Sequence, residues 1–345
     1  MKTLSIIVPT YNVEDYLPKC LNSLIVDRDD LEVLVIIDGS KDRSCEIALS
    51  YQKEYPSIFR VIEKDNGHYG SCVNKGLSIA QGKYVKVLDA DDYFNEGFIN
   101  YLDFLSKENV ELVLTGYITV DEDDNVISKK EFDFEAGKEY PIRALLENSI
   151  SMMRHYELTY RTEILREISY HQTEGISYTD IEWSFLPFSK IASFIYYPGT
   201  LYRYLKGRSG QTVDIEYRRK NMWMANKVII GLVKQYEKIK ADVDGDNSIL
   251  LKHFLSSLVR QVYFHYLINY PGVLDEAELK VFDTDLQQIS VEIYQSVEDS
   301  VDIRKFGSFY YIRDFRKSGT RNTPKYRFFD LCVNTMKLIN NIRKK

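Results

Sequence analysis

Leu4-Ser5-Ile6-Ile7-Val8-Pro9-Thr10-Tyr11-Asn12 is an almost unbroken apolar run that ends in a polar turn. A run this short and this apolar suits a strand buried on both faces, as in a parallel sheet. Residues 31–37, 59–62, 84–88 and 111–117 read as four further strands. Between them, apolar residues recur at helical spacing: Val13, Tyr16, Leu17, Cys20, Leu21 and Leu24, then Ile47, Ala48 and Tyr51, then Val73, Leu77 and Ala80 with Gly82 as the stop, then Phe98, Tyr101, Leu102 and Leu105. Asn12 is the expected cap of the first helix, and Pro18 is expected to bend it. Strands alternating with short helices predict an α/β fold with a mostly parallel central sheet flanked by helices.

After Val120 the pattern becomes irregular, and Asp121-Glu122-Asp123-Asp124-Asn125 reads as a solvated acidic turn, since it lacks the spacing of a calcium loop. From about Ile215 the chain turns helical, with Leu251, Leu255, Leu258 and Val262 as an apolar stripe. The expected organisation is one α/β domain over 1–212 and a mainly helical region over 213–345 that is basic at its end. A length of 345 residues suits about two domains. The formal net charge of -6 argues against a nucleic-acid partner.

Arg304 to Lys345 carries twelve Lys/Arg against Asp314 and Asp330, with Phe309, Tyr310, Tyr311, Phe315, Phe328 and Phe329 interleaved. Two readings stand side by side: a peripheral contact with an anionic membrane, or a solvated helix face with packing aromatics. The four cysteines form no CxxC pair, so they read as reduced thiols of a cytoplasmic protein, with the inner face of the cell membrane as its other place. The apolar run at 4–8 is too short for a signal peptide, and no stretch approaches the ~18 apolar residues of a membrane span.

Ligands of such sheets sit beyond the carboxyl ends of the strands, and four polar clusters fall there. Asp89-Ala90-Asp91-Asp92 follows the fourth strand. On an extended segment Asp89 and Asp91 share one side and Asp92 takes the other. Two carboxylates aimed together call for a hard cation such as Mg²⁺ or Mn²⁺, and a turn with a helix cap is the competing explanation. In Asp38-Gly39-Ser40-Lys41-Asp42, Asp42 can cap the next helix, and Asp38 either meets a base edge or is simply part of a turn. Tyr11, after Pro9, could stack on a base. Gly67, in Asn66-Gly67-His68-Tyr69-Gly70, could offer its N–H to an anion. There is no Walker loop, and no GxGxxG follows the first strand, which argues against a dinucleotide-binding dehydrogenase. Farther on, Asp180 in Thr179-Asp180-Ile181-Glu182-Trp183 is either a first-turn acid or a general base. The stretch from Tyr202 to Gln211, with Arg203 and Arg208, is either a loop closing over a diphosphate or an exposed hairpin.

In order and spacing, these segments resemble the family 2 glycosyltransferases of the GT-A fold, of the bacterial cell-surface polysaccharide type. Ser5 to Asn12 looks like that family's opening, and Asp38-Gly39-Ser40-Lys41-Asp42 like its DGSxD turn. Asn74-Lys75-Gly76 and Ala80-Gln81-Gly82-Lys83-Tyr84 are similar to its approach to the fourth strand. Asp89-Ala90-Asp91-Asp92 resembles its DxDD motif, and Thr179-Asp180 falls where it has a Glu-Asp pair. The likeness spans about 1–212 and implies roles. Pro9, Tyr11, Asp38, Gly67, Asn74, Asp89 and Ala90 would bind the nucleotide-sugar, with Asp89 near the ribose or the metal shell. Asp91 would hold the metal, Asp180 would be the base of an inverting displacement, and Arg203 and Arg208 would belong to a closing loop. The expected donor is a nucleotide-diphosphate sugar, UDP-linked by preference, and the expected acceptor a saccharide or a lipid-linked saccharide. Ile37 stands in place of the acid often found before Asp38, and Thr179 in place of the usual Glu. A nucleotidyltransferase and a catalytically silent nucleotide- or partner-binding sheet are the alternatives. The sugar, the linkage and the oligomeric state are left unassigned.

Overall fold

The computed structural model describes residues 2–150, 152–208, 214–299, 302–304 and 307–332. The chain divides into two compact units, Met1–Tyr217 with Ala241–Leu251, and Arg218–Lys240 with Lys252–Lys345. The boundary expected at 212/213 lies outside the described residues.

The first unit is built on β1 (Leu4–Thr10), α1 (Leu17–Asn22), β2 (Leu31–Asp38), α2 (Ser44–Glu54), β3 (Phe59–Lys64), α3 (His68–Ile79) and β4 (Tyr84–Val87). β5 (Tyr93–Phe94), α4 (Phe98–Lys107), β6 (Leu112–Val120), β7 (Val126–Lys130) and β8 (Glu139–Pro141) follow. Then come α5 (Ala144–Glu147), a 3-10 turn His155–Glu157, β9 (Leu158–Arg161), α6 (Thr162–Glu167), α7 (Asp180–Trp183) and β10 (Ser193–Leu205). One sheet runs β3-β2-β1-β4-β9-β6-β10-β5, with β7 on β6 and β8 on β10. β1, β2, β3 and β4 are parallel, as are β6 and β10. The fourth and fifth strands read from the sequence are not neighbours, because β9 lies between them antiparallel to both.

Both faces of the parallel part are covered. Leu4, Ile6 and Val8 share one cluster with Leu17, Cys20 and Leu21 of α1, Ala48 of α2 and Phe98, Tyr101 and Leu102 of α4. Ile7 faces the other way, against Gly76 of α3. This two-sided burial explains why β1 and β2 read as continuous apolar runs.

Two local expectations change. Asn12 does not cap α1: it sits at φ 49, and its side-chain oxygen accepts from Lys41 N at 2.8 Å, tying the β1 turn to the β2 turn. α1 begins instead at Leu17, so Pro18 falls in its first turn, where a missing N–H costs nothing and no bend follows. The acidic stretch 121–125 is the turn of the β6–β7 hairpin, closed by Asp121 Oδ1 accepting from Asp123 N and Asn125 N.

The second unit carries most of α8 (Ile215–Ile239) and the later part of α9 (Gly245–Phe264). α10 (Glu276–Ile289), α11 (Val291–Ser296), a hairpin of β11 (Asp302–Arg304) and β12 (Gly307–Phe309), and α12 (Tyr311–Ser318) complete it. Leu255, Leu258, Val262, Phe282, Leu286, Ile293 and Phe315 are buried. Among the described residues, no helix is long and apolar enough to cross a membrane.

Candidate active site

Thr10 to Asn12, Asp38 and Asp89 follow or end three adjacent parallel strands, β1, β2 and β4. The register that pairs Thr10 with Ile37 and Ile7 with Val87 brings their ends together. The motif after β4 is a turn, not an extended segment, since Asp92 N donates to Asp89 O at 3.0 Å. Asp92 therefore does not point away as alternation would have it. Carboxylate oxygens of Asp89, Asp91 and Asp92 all lie within 4.8 Å of one another.

Each acid has a different neighbourhood. Asp92 is buried, accepting from Tyr202 OH at 2.6 Å and Leu205 N at 2.7 Å. Burial, with Asp91 and Asp89 beside it, pushes its carboxyl well up. Asp91 accepts from Arg208 Nε at 2.5 Å. Burial raises its pKa too, with the Arg208 charge opposing the rise. Asp89 accepts from Tyr69 OH at 3.0 Å, and His155 Nε2 stands 3.2 Å from its Oδ2. Burial would raise it, but the charge of the nearby His155, with the bond from Tyr69, outweighs that and holds it low. His155 Nδ1 is 3.7 Å from Asp180 Oδ2. Burial works against charge on this imidazole, yet Asp89 and then Asp180 lift its pKa to about 10.

Three like charges this close, in a buried setting, are the donor set a hard divalent cation suits. Asp91 could help to hold one, its side chain being paired with Arg208. Asp92 is engaged on both oxygens by the protein.

The remaining expected residues are placed as follows. Tyr11 is exposed at the end of β1, and Ala90 is buried within the acidic turn. Pro9 lies in β1 opposite Ile36. Asp38 is buried, and its Oδ1 accepts from Lys64 Nζ at 2.6 Å and from Gly67 N at 2.9 Å. The Gly67 N–H is thus directed at Asp38. Gly39 turns the chain there at φ 68, which a glycine adopts without strain. Asp42 caps α2 through Oδ1, accepting from Ser44 N. Asn74 is turned to the 172–174 segment, donating to Gln172 O and accepting from Gln172 N, both at 2.8 Å. Asp180 is the first residue of α7, after Tyr178 at φ 67, with 41% of its side chain exposed. Arg208 reaches the acids, whereas Arg203 lies within β10 between Tyr202 and Tyr204. Tyr202 bonds Asp92, and Tyr156 stacks on both tyrosines, so alternation puts Arg203 on the opposite face. Ser209, Gly210 and Gln211 lie outside the described residues.

Residues 5–169 match the family described as Glycosyl transferase family 2. This stretch is a family 2 glycosyltransferase domain. Over 95 residues the chain is 42% identical to an uncharacterized glycosyltransferase, the MG025 homolog of Mycoplasma pneumoniae, covering 26% of this chain and 31% of that protein. Over 253 residues it is 28% identical to a poly(ribitol-phosphate) beta-glucosyltransferase of Bacillus spizizenii, covering 67% of this chain and 37% of that protein. The chain therefore spans about a third of the length of these two relatives. The structure of S. aureus TarS 1-349 superposes with a TM-score of 0.60 at 20% identity, covering 85% of this chain and 82% of that one. The same protein in complex with UDP-GlcNAc gives a TM-score of 0.54 at 19% identity, covering 88% and 95%. At such identity the likeness is one of fold.

Sequence reading of the glycosyltransferase domain passed over His155 and Tyr69 as site residues. His155 sits in a three-residue 3-10 turn with no periodicity around it, and its partners are remote in sequence. Tyr69 lies in the glycine-rich turn, but nothing local in the sequence ties its hydroxyl to Asp89.

Proposed function

We propose that this protein is an inverting glycosyltransferase that moves a sugar from a nucleotide-diphosphate donor, UDP-linked by preference, to an acceptor hydroxyl in surface polysaccharide synthesis. The observation that carries this is the acidic turn after β4 of a family 2 glycosyltransferase domain, linked through His155 to Asp180 on α7. UDP is preferred because the TarS fold relative was crystallised with UDP-GlcNAc.

Tyr11 stacks on the base, and Asp38, already fixed by Lys64 and Gly67 N, accepts from the base edge. Asp91, with Asp89 beside it, would hold Mg²⁺ or Mn²⁺, which when bound supplies charge neutralisation for the leaving diphosphate. Asp180, the half-exposed acid, takes the proton of the acceptor hydroxyl as its oxygen bonds the anomeric carbon. The bond from that carbon to the diphosphate oxygen breaks, and the nucleoside diphosphate leaves with the electron pair. Arg208 is within reach of the diphosphate position once it leaves Asp91. The acceptor is a saccharide or a lipid-linked saccharide.

The test is a thermal-shift panel of UDP, dTDP, GDP and CDP, with and without Mn²⁺, on wild type and Asp91→Ala, followed by product analysis. The expected result is metal-dependent stabilisation by one nucleotide, absent in Asp91→Ala, and release of nucleoside diphosphate. Asp180→Asn is expected to lose transfer by about 100-fold or more while donor binding is kept. Release of pyrophosphate instead would make the protein a nucleotidyltransferase, and no shift with any nucleotide would sink the reading.

A further inference from the structure

We propose that His155 is a positioning residue that sets the distance between the donor-side carboxylate Asp89 and the acceptor-side base Asp180. This rests on the glycosyltransferase reading above. The ring stands between the two acids, with Nε2 3.2 Å from Asp89 Oδ2 and Nδ1 3.7 Å from Asp180 Oδ2. It is buried, and Tyr69 lies edge-on to it while donating to the other oxygen of Asp89. Neither ring nitrogen has a hydrogen bond of good alignment, and each faces the oxygen of a different carboxylate. Within its own turn the ring packs edge-on against Tyr156. Its nitrogens address two carboxylates on different segments, one before β5 and one on α7.

The turn carrying His155 is clamped from below by groups that are costly to bury. Lys86 of β4, fully buried, donates to Tyr156 O at 2.7 Å and Leu158 O at 3.2 Å, on either side of Glu157. Glu157, also fully buried, accepts from Arg154 N at 2.5 Å and pairs with Lys130 at 2.6 Å. Buried charges are kept only where they are paired and bonded. Here they fix the three residues of the turn, and with them the imidazole. β4 supplies both Lys86, under the turn, and Asp89, at its end. The spacing from Asp89 to Asp180 is thereby referred to one strand. In-line transfer needs reacting atoms ~3–3.5 Å apart, and a displacement of 1 Å can cost about 100-fold.

Two amide replacements separate the two contacts, because the Asn side-chain nitrogen occupies the place of Nδ1 and that of Gln the place of Nε2. In the full chain, with the UDP-sugar that wild type turns over, His155→Asn is expected to keep most of kcat and to raise donor KM. His155→Gln is expected to keep donor KM and to lose about 100-fold in kcat. Placed on Asp180→Asn, His155→Gln adds no further loss, since it acts through the acid already removed. Tm and Mn²⁺-dependent UDP stabilisation are followed in each variant. Equal losses in the Asn and Gln variants, full additivity with Asp180→Asn, or unchanged transfer would overturn the positioning role while leaving wild-type transfer intact. A wild-type chain that transfers no sugar, or an Asp180→Asn chain with full turnover, overturns the underlying reading and the positioning role with it.

Discussion

Tyr202 shows how one hydroxyl holds the acidic turn together. It donates to Asp92 Oδ2 and accepts from Asp89 N, so the first and last residues of the motif share it. Tyr202→Phe leaves a buried carboxylate short of one donor, a loss of about 1–3 kcal/mol. The expected outcome is a lower Tm and a weaker Mn²⁺-dependent nucleotide shift, with the fold intact by circular dichroism. Lys86 offers a pH test. Burial depresses its pKa to about 7, with Glu157 opposing, whereas an unfolded lysine titrates near 10.5. Between those values the unfolded chain holds a proton that the folded chain does not, so this residue makes stability rise with pH. Against Lys86→Met, wild type should gain up to about 1.4 kcal/mol per pH unit from pH 7 toward 10. Parallel curves for the two proteins over that range would show that Lys86 does not titrate there. The residue types at these positions are plain in the sequence. Their partners are not, because Tyr202 and Asp92 meet only through the pairing of β10 with β5 and β6.

At the level of elements, α3 is the part whose placement the site depends on. It starts at His68, held at φ 64, and its first turn packs against the segment leading to α7. Gly70 is there for close approach: a Cβ on it would lie 2.0 Å from Thr173 O. Gly70→Ala must push that segment and Asp180 beyond it, at a cost of about 1–3 kcal/mol. Transfer is expected to fall further than the drop in Tm alone explains, as measured by kcat at a temperature well below both transitions. Apolar periodicity located α3, with Val73 and Leu77 in its buried stripe, although Ala80 of the expected stripe lies past its end in extended backbone. What periodicity cannot record is that the helix approaches a segment about 100 residues later, because it reports which face is buried and not against what.

Over the whole molecule, charge is distributed unevenly, and four of the bases after Arg304 are paired with acids, two of which lie upstream of that stretch. Arg313, Arg316, Arg321 and Lys325 pair with Asp299, Asp283, Asp330 and Asp314. Arg316 is buried between the rings of Tyr263 and Tyr294. Arg316→Gln breaks a buried ion pair and should destabilise by about 3–5 kcal/mol, read by thermal unfolding. The membrane contact expected from 304–345 is tested at Lys337, Arg343, Lys344 and Lys345, which lie outside the described residues. Cosedimentation with anionic liposomes at low salt should be lost when these four are changed together to Gln. It should survive in Lys325→Gln, whose charge is engaged with Asp314.

The sequence by itself determined the family of residues 5–169, the strand–helix alternation of its first 110 residues and the presence of an acidic motif after β4. Each of these is written within a short window, as two-sided burial, helical spacing or a motif at a strand end. Only the tertiary structure decided that β9 enters antiparallel between β4 and β6. The same holds for Asp92 turning inward with Asp89 and Asp91, for Arg208 lying on Asp91, and for His155 standing between Asp89 and Asp180. Those outcomes depend on which distant segments become neighbours. Sheet order and backbone turns settle that, and no local period encodes either.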